Sequence, residues 1–339
     1  MHVQVNGRYL VQRLTGQQRY AHEIVSRLQN RLDIIAPPAK SRGMGGHLWE
    51  QLALPRRLGR DLLWSPSTTG PLSVKRQVVT IHDCAFFDQA NCFSRAFAAW
   101  YQFLVPRLAR AARRIIAVSE FSKQRIVELC RVPAEKVSVI YSGVGNQFRP
   151  HSVDEIAAVR TKLALPQRYI LCVGSLEPRK NLGRLLQAWQ RVQPRLAGLS
   201  LVLVGAKSHV FRDAGLSESP PGVHLAGYLD DELLPAVYAG AELFVYPSIY
   251  EGFGLPVIEA MASGAPVITS NVTALPEVAG DAAAFVDPLH VDSIAAGIET
   301  LAQNEQQKSE LRQKGIIRAA QFNWENTARE TWRVLEAAA

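Results

Sequence analysis

Short runs of β-branched and apolar residues alternate along the chain with longer stretches where apolar residues recur every three or four positions. In the first half, residues 78–81, 114–118 and 137–141 predict buried strands, and residues 94–112 and 119–130 predict helices between them. The second half repeats the theme, with strands at 169–174, 200–205, 243–246 and 266–269, a short strand at 223–225, and a helix over 181–196. Alternation of this kind builds parallel sheets covered by helices on both faces. Gly143, Gly145 and Pro150 mark a loop, the polar stretch 153–163 reads as a connecting helix, and Pro166 precedes a fresh strand. The expected architecture is α/β, with two lobes, 1–155 and 156–322, and a cleft between them. In open parallel sheets ligands sit beyond the carboxyl ends of the strands, so motifs at those ends carry the functional weight.

Composition narrows the class. With 339 residues, 47% hydrophobic and 20% charged, the chain can fill two cores, which excludes wholesale disorder and collagen-like, mucin-like or disulfide-scaffold designs. No apolar run reaches the roughly 18–20 residues of a spanning helix, and residues 1–8 lack a signal-peptide layout. Cys84, Cys92, Cys130 and Cys172 form no C-x-x-C pair or Cys/His cluster. They are expected to be reduced thiols in a cytoplasmic protein without a metal site. Charge is uneven: residues 1–150 hold 22 Lys and Arg against 9 Asp and Glu, whereas residues 151–339 hold 16 against 21. A basic half fits nucleic acid, an anionic membrane surface or a phosphorylated substrate, and it equally fits two lobes that attract each other.

The strongest chemical signal runs from Tyr246 through Glu251-Gly252-Phe253-Gly254-Leu255-Pro256 to Glu259-Ala260. The glycines clear side chains from a loop where backbone amides approach a ligand. Pro256 suits a first helical turn, whose unpaired amides and positive end make an anion site. Glu251 and Glu259 lie eight apart, on a broadly similar face but separated along the axis. One carboxylate is then available for a sugar and the other for a ribose diol, since a carboxylate accepts two hydroxyl hydrogen bonds at once.

This glutamate pair and its Gly-Phe-Gly-Leu-Pro insert, followed by Met261-Ala262-Ser263-Gly264-Ala265-Pro266, resemble the E-x7-E signature of glycosyltransferase family 4. The resemblance implies a retaining transferase of GT-B fold, with two Rossmann-like lobes facing the cleft, and it covers nearly the whole chain. Gly174-Ser175-Leu176-Glu177-Pro178-Arg179-Lys180-Asn181 resembles the family's diphosphate loop, with Arg179 and Lys180 as its cations; alone, that pair also reads as a solvated turn. Thr80-Ile81-His82-Asp83 matches the position of a histidine that touches the donor sugar, and Gly16 that of a glycine loop beside the donor phosphate. Asp83 fits an orienting, an acceptor-contacting or a capping role. Tyr228 and Leu229 follow the pattern of a loop against which the base packs, and residues 323–339 that of a closing helix returning to the first lobe. His47-Leu48-Trp49-Glu50-Gln51 resembles an element of mannosyl- and rhamnosyltransferases of surface polysaccharide assembly, including lipopolysaccharide, with Trp49 as packing.

These matches imply transfer of a hexose, mannose or a 6-deoxyhexose, from a nucleotide-diphosphate sugar such as GDP-mannose to a glycan acceptor carried on a polyprenyl diphosphate. Ribose is expected on Glu259, and the phosphates on Gly16, Ser175, Arg179, Lys180 and the amides of Phe253, Gly254 and Leu255. The sugar is expected on Glu251 and His82. No D-x-D triplet is present, so metal-independent stabilisation of the leaving group by cations and amides is expected, with no cofactor beyond the donor. Retention fits either a front-face route or a double displacement through Glu251. Arg107, Arg110, Arg113, Arg114, Lys123, Arg125 and Arg131 suit peripheral binding at an anionic membrane surface, or scattered salt bridges. Three other classes compete. A nucleic-acid binder explains the basic half but neither glutamates nor glycine loops, a dinucleotide oxidoreductase lacks its G-x-G-x-x-G, and an inactive or epimerase-like GT-B protein would retain the site.

Overall fold

The computed structural model describes residues 2–12, 15–41, 43–59, 61–175, 177–205 and 220–339. Leu176, within the expected diphosphate loop, and Met1 lie outside the described residues. The chain forms two compact units, Met1–Gly143 with Asn323–Ala339, and Val144–Phe322.

The first unit holds a parallel six-stranded sheet in the order β2-β1-β3-β4-β5-β6. Its strands are β1 Val3–Asn6, β2 Leu32–Ile35, β3 Leu62–Ser65, β4 Gln77–Ile81, β5 Arg114–Ala117 and β6 Val137–Val139. All five residues of β4 are buried, as expected of a β-branched run covered on both faces. The helices Arg95–Ala111 and Glu120–Cys130 start where Ser94 and Ser119 accept hydrogen bonds from the amides of Phe97 and Ser122, at 3.3 and 3.0 Å. The helix Trp324–Ala338 packs in this unit, its Trp324 buried edge-on against Tyr20, with centroids 6.1 Å apart. Gly143 permits that approach, because a Cβ there would lie 2.3 Å from the Trp324 amide nitrogen. Trp324→Ala is expected to destabilise this unit by about 3–5 kcal/mol, the cost of emptying a buried aromatic site. Denaturant unfolding checks it, and an unchanged midpoint would exclude the helix from the core.

The second unit holds another parallel six-stranded sheet, in the order β12-β11-β10-β7-β8-β9. Its strands are β7 Tyr169–Val173, β8 Ser200–Val204, β9 Val223–Gly227, β10 Leu243–Tyr246, β11 Val267–Ser270 and β12 Ala283–Val286. Period-two alternation sends Ile170 and Cys172 into one core with Leu185 and Trp189, and Tyr169 and Leu171 into another with Val257 and Met261. The expected helix 181–196 is α-helical over Leu182–Val192 and tightens to a 3-10 turn at Gln193–Arg195. Pro194 has no amide hydrogen to continue the ladder.

Connection order fixes where ligands can sit. The chain runs from β7 through β8 to β9 at one edge, then returns to β10 on the other side of β7. Loops after β7 and β10 therefore diverge at a topological switch point, and the first sheet has its counterpart between β1 and β3.

Candidate functional site

At the β7/β10 switch point two loops are sewn together. After β7 the chain passes through Gly174, Ser175 and the 3-10 turn Pro178–Lys180 to Asn181, which adopts a left-handed φ of 60°. Asn181 Nδ2 donates to the carbonyls of Pro247 and Pro288 at 2.9 and 2.6 Å, and the Ile249 amide donates to Arg179 O at 2.8 Å. These bonds carry Arg179 and Lys180 to the loop that follows β10.

Glu251 is the centre of the resulting cluster. Lys180 Nζ donates to Oε1 at 2.7 Å, Arg179 NH1 to Oε2 at 3.0 Å, and the Tyr246 hydroxyl to Oε1 at 2.9 Å. Lys180 also donates to the Tyr246 hydroxyl at 2.6 Å. Arg179 Nε donates to Glu177 at 2.6 Å, and Ser175 Oγ donates to the same carboxylate at 2.8 Å. Burial pushes the Glu251 carboxyl up, but the charges of Lys180 and Arg179 outweigh it and hold the group down at about 2. Burial lowers the Lys180 ammonium, and it raises the Tyr246 phenol. A depressed carboxyl pKa contributes stability that is present above its ordinary value of 4.5 and lost as pH falls through about 2. Unfolding free energy is therefore expected to fall across that window, and in Glu251→Gln the fall should be visibly shallower; an identical acid limb in both proteins would contradict the pairing.

The second glutamate lies beyond this loop, on the helix that follows it. Glu259 is in the second turn of the helix Leu255–Ala262, buried, and accepts a hydrogen bond from the Tyr238 hydroxyl at 3.1 Å. Gly254 starts this helix with φ 101°, and a Cβ there would fall 2.7 Å from Leu275 Cδ2. Glycine is therefore required by both conformation and space. Pro256 stands in the first turn, whose amides point back into the loop. Leu255 is half-buried, and Phe253 is buried edge-on against Phe322. Tyr228, just beyond β9, is 61% exposed, and Leu229 is buried in the core beside it.

In the first unit His82 follows the end of β4, buried, with Tyr20 edge-on at 4.8 Å. Its Nε2 lies 2.8 Å from Pro66 O. A carbonyl only accepts, so Nε2 carries the proton and Nδ1 is left as an acceptor. Burial lowers the pKa of the ring, which favours the neutral form. Asp83 Oδ1 accepts from the Ala85 amide at 3.0 Å, a turn-forming role. Gly16 is exposed at the start of the helix Gly16–Arg27, where the Thr15 amide donates to Gln18 Oε1 at 3.2 Å. Trp49 is buried with Leu54 and Leu63.

The structure thus brings Glu251, Arg179, Lys180 and Ser175 into one cluster and places Glu259 further along the helix that opens beside it. Gly16 and His82 lie in the other unit. Most of the basic residues of the first unit have local partners. Arg110 donates to Cys130 O at 3.3 Å, Arg113 to Ala338 O at 2.6 Å, Arg114 to Glu135 O at 2.7 Å, and Arg125 to Asp88 at 2.9 Å. Glu177, Asn181 and Tyr246 stand in the quoted motifs without a role, and two further site residues lie outside them: Tyr238, and Thr273, whose hydroxyl accepts from the Glu251 amide at 3.2 Å. Among the described residues no helix is long and apolar enough to cross a membrane. No group of three or more His, Cys, Asp or Glu is placed there to hold a metal ion.

Comparison with known proteins follows the same division of the chain. Residues 155–320 match the family described as Glycosyl transferases group 1, and residues 32–147 match Glycosyltransferase Family 4. The O-antigen chain mannosyltransferase B of Escherichia coli is 36% identical over 270 residues, which cover 77% of this chain and 70% of that one. The serotype-specific mannosyltransferase WbdA of Escherichia coli is 34% identical over 240 residues, 67% of this chain but only 29% of that longer protein. Among solved structures, Anabaena HepE in complex with UDP and glucose superposes with a TM-score of 0.79 at 19% identity, over 99% of both chains.

Proposed function

The chain belongs to the group 1 glycosyl transferases of glycosyltransferase family 4, retaining hexosyltransferases of GT-B fold, and on that premise we propose that it transfers mannose from a GDP-linked donor. A 6-deoxyhexose derived from mannose is the alternative cargo. The acceptor is proposed to be a growing surface-polysaccharide glycan on a polyprenyl diphosphate, at the cytoplasmic face of the membrane. One observation supports the chemistry above all others: a carboxylate, a lysine and an arginine are locked together at the carboxyl end of β7 and β10, beside the start of a helix. The 36% identity to an O-antigen chain mannosyltransferase supports the choice of sugar.

In the proposed complex the ribose diol lies on Glu259 and the base against Tyr228 and Leu229. The diphosphate lies on Ser175, Arg179, Lys180 and the amides of Phe253, Gly254 and Leu255, with Gly16 as its contact in the first unit. Glu251 and the Nδ1 acceptor of His82 hold sugar hydroxyls. Reaction breaks the bond from the anomeric carbon to the phosphate oxygen and forms one to the acceptor oxygen on the same face. The acceptor proton passes to the departing phosphate, and the cations stabilise the charge that develops there, without a divalent metal. The clamped state of Glu251 supports this front-face route over a double displacement. A carboxylate held at a pKa of about 2 by two cations and a phenol is a weak nucleophile.

The membrane-facing surface is proposed to lie on the helices Met44–Leu48 and Arg95–Ala111, which His47 and Trp100 join through a 3.1 Å hydrogen bond. Met44, Leu48, Phe97 and Phe103 are exposed there, with Arg107 over the Phe103 ring at 3.8 Å. Apolar side chains beside exposed arginines suit an anionic interface. The test is incubation of the purified protein with GDP-mannose and a polyprenyl-diphosphate-linked glycan, the product's anomeric configuration being read by NMR. An α-linked mannosyl product supports the proposal; an inverted linkage, or transfer only from UDP- or dTDP-sugars, defeats it.

A further inference from the structure

The switch point of the first sheet, between β1 and β3, holds a second buried polar cluster that the proposed chemistry does not use. Glu50, 1% exposed, accepts from Asn6 Nδ2 at 2.7 Å, Thr69 Oγ1 at 3.0 Å and Arg8 NH1 at 3.2 Å. Arg8, also buried, donates to Thr69 Oγ1 at 2.5 Å, and its NH2 lies 2.9 Å from His47 Nε2. Glu50 sits on a π-helical turn, Trp49–Ala53, a local departure from α geometry that aims its carboxylate between Asn6 and Thr69. Opposite charges are expensive to remove from water, and well-packed apolar residues would stabilise the sheet as well or better. The cluster therefore calls for a role beyond stability.

Thr69 supplies the link. It belongs to the loop after β3, where Thr68 holds a left-handed φ of 64°. For a β-branched residue that conformation is strained and persists only where neighbours impose it. Hydrogen bonds from Thr68 N to Thr80 O at 2.8 Å and from Thr69 N to Ser67 O at 2.7 Å hold one side of the turn. Glu50 and Arg8 hold the other through the Thr69 hydroxyl. The same loop supplies the ring-nitrogen contact of His82, Pro66 O against Nε2 at 2.8 Å, and one of its backbone contacts, Thr68 Oγ1, which accepts from the His82 amide at 3.4 Å, while Tyr20 and Ser122 hold it from other elements.

We propose that Arg8, Glu50 and Thr69 are positioning residues that act through the strained turn at Thr68 to fix the tautomer of His82. With the turn in place, Pro66 O holds the proton on Nε2 and leaves Nδ1 as an acceptor, the form that a sugar hydroxyl requires. The use of that acceptor by a sugar rests on the proposed function; the control of the tautomer does not.

The two can be tested separately. Long-range 1H–15N correlation spectra of the histidine side chains, with His82→Ala identifying the resonances, report the tautomer in the ligand-free protein. The wild type and Thr69→Ser are expected to show the Nε2–H pattern. Thr69→Val, which keeps the shape and loses the hydroxyl, is expected to shift it toward a mixture. Arg8→Lys, which keeps the charge and loses the planar fork, should do the same if Thr69→Val fails to fold. A folded Thr69→Val or Arg8→Lys with an unchanged His82 pattern overturns the proposal. In the transfer assay Thr69→Val is expected to lower kcat about tenfold or more with the donor KM little changed, since misplacement of a contacting group acts on the transition state. A shifted tautomer without any detectable transfer in the wild type would sustain the positioning role and reject the proposed reaction.

Discussion

Glu251→Gln is expected to lower turnover by about two to three orders of magnitude, the usual cost of removing one preorganised electrostatic partner from a transition state. Affinity for the nucleoside diphosphate should change far less. The side chain keeps its shape, so the loops after β7 and β10 remain joined by Asn181 and by the Ile249 amide. What disappears is the negative charge that Lys180 and Arg179 both contact, at 2.7 and 3.0 Å. Lys180 is left as a buried ammonium without its counter-ion, a situation that typically costs about 3–5 kcal/mol. The Tyr246 hydroxyl at 2.6 Å is a poor substitute for a carboxylate. Steady-state kinetics and calorimetry on one preparation separate the effects. Equal losses in turnover and affinity would make Glu251 a binding residue only.

Glu259→Ala is expected to show the opposite profile. Two charge-assisted hydrogen bonds to a ribose diol contribute about 3 kcal/mol together, so affinity for the diphosphate should fall about 100-fold. Turnover at saturating donor should fall much less. Glu259 also accepts from Tyr238 in the core, so Tyr238→Phe separates the two roles. That variant loses the internal bond but leaves the carboxylate for the ribose, and its affinity should stay within a few-fold of the wild type. A comparable loss in both variants would show that the carboxylate serves the core and not the nucleotide.

The eight-residue separation of the two glutamates is legible in the sequence, and in the structure Glu251 lies in the loop after β10 and Glu259 in the helix that follows, with Gly254 and Pro256 between them. The alternation of β-branched runs and helical stretches likewise located β4, β5, β7, β8 and β10, whose interiors are continuous apolar sequence. β1, β2 and β3 carried no such mark. Val3–Asn6 and Leu32–Ile35 are four-residue strands interrupted by Gln4 and Asp33, too short for either periodicity to stand out. β12, Ala283–Val286, is an edge strand that begins with two alanines, which have little β preference. The loss of these strands hid the switch point between β1 and β3, and with it the partners of Arg8 and Glu50.

Local sequence also could not reveal how completely the cations are engaged. Arg179-Lys180 reads as a pair offered to phosphate, yet Arg179 lies between Glu177 and Glu251 and Lys180 is buried against Glu251 and Tyr246. Glu177 is a near neighbour in sequence, but Glu251 and Tyr246 come from 66 to 72 positions away, joined by the pairing of β7 with β10. Tertiary pairing, which no local pattern encodes, turned a turn-like dipeptide into a buried ionic cluster. The arginines of the first unit show the same effect. A basic run that suggested a surface for anions is largely bound to backbone carbonyls and to Asp88.

Calorimetric titration with GDP, UDP and dTDP, each with and without Mg²⁺, tests the central assignment most directly, with Glu259→Ala titrated in parallel. Selective binding of GDP without metal, lost in Glu259→Ala, is the result expected of a donor site built from the loops after β7 and β10. Binding of no diphosphate under either condition, or undiminished binding in Glu259→Ala, would contradict it.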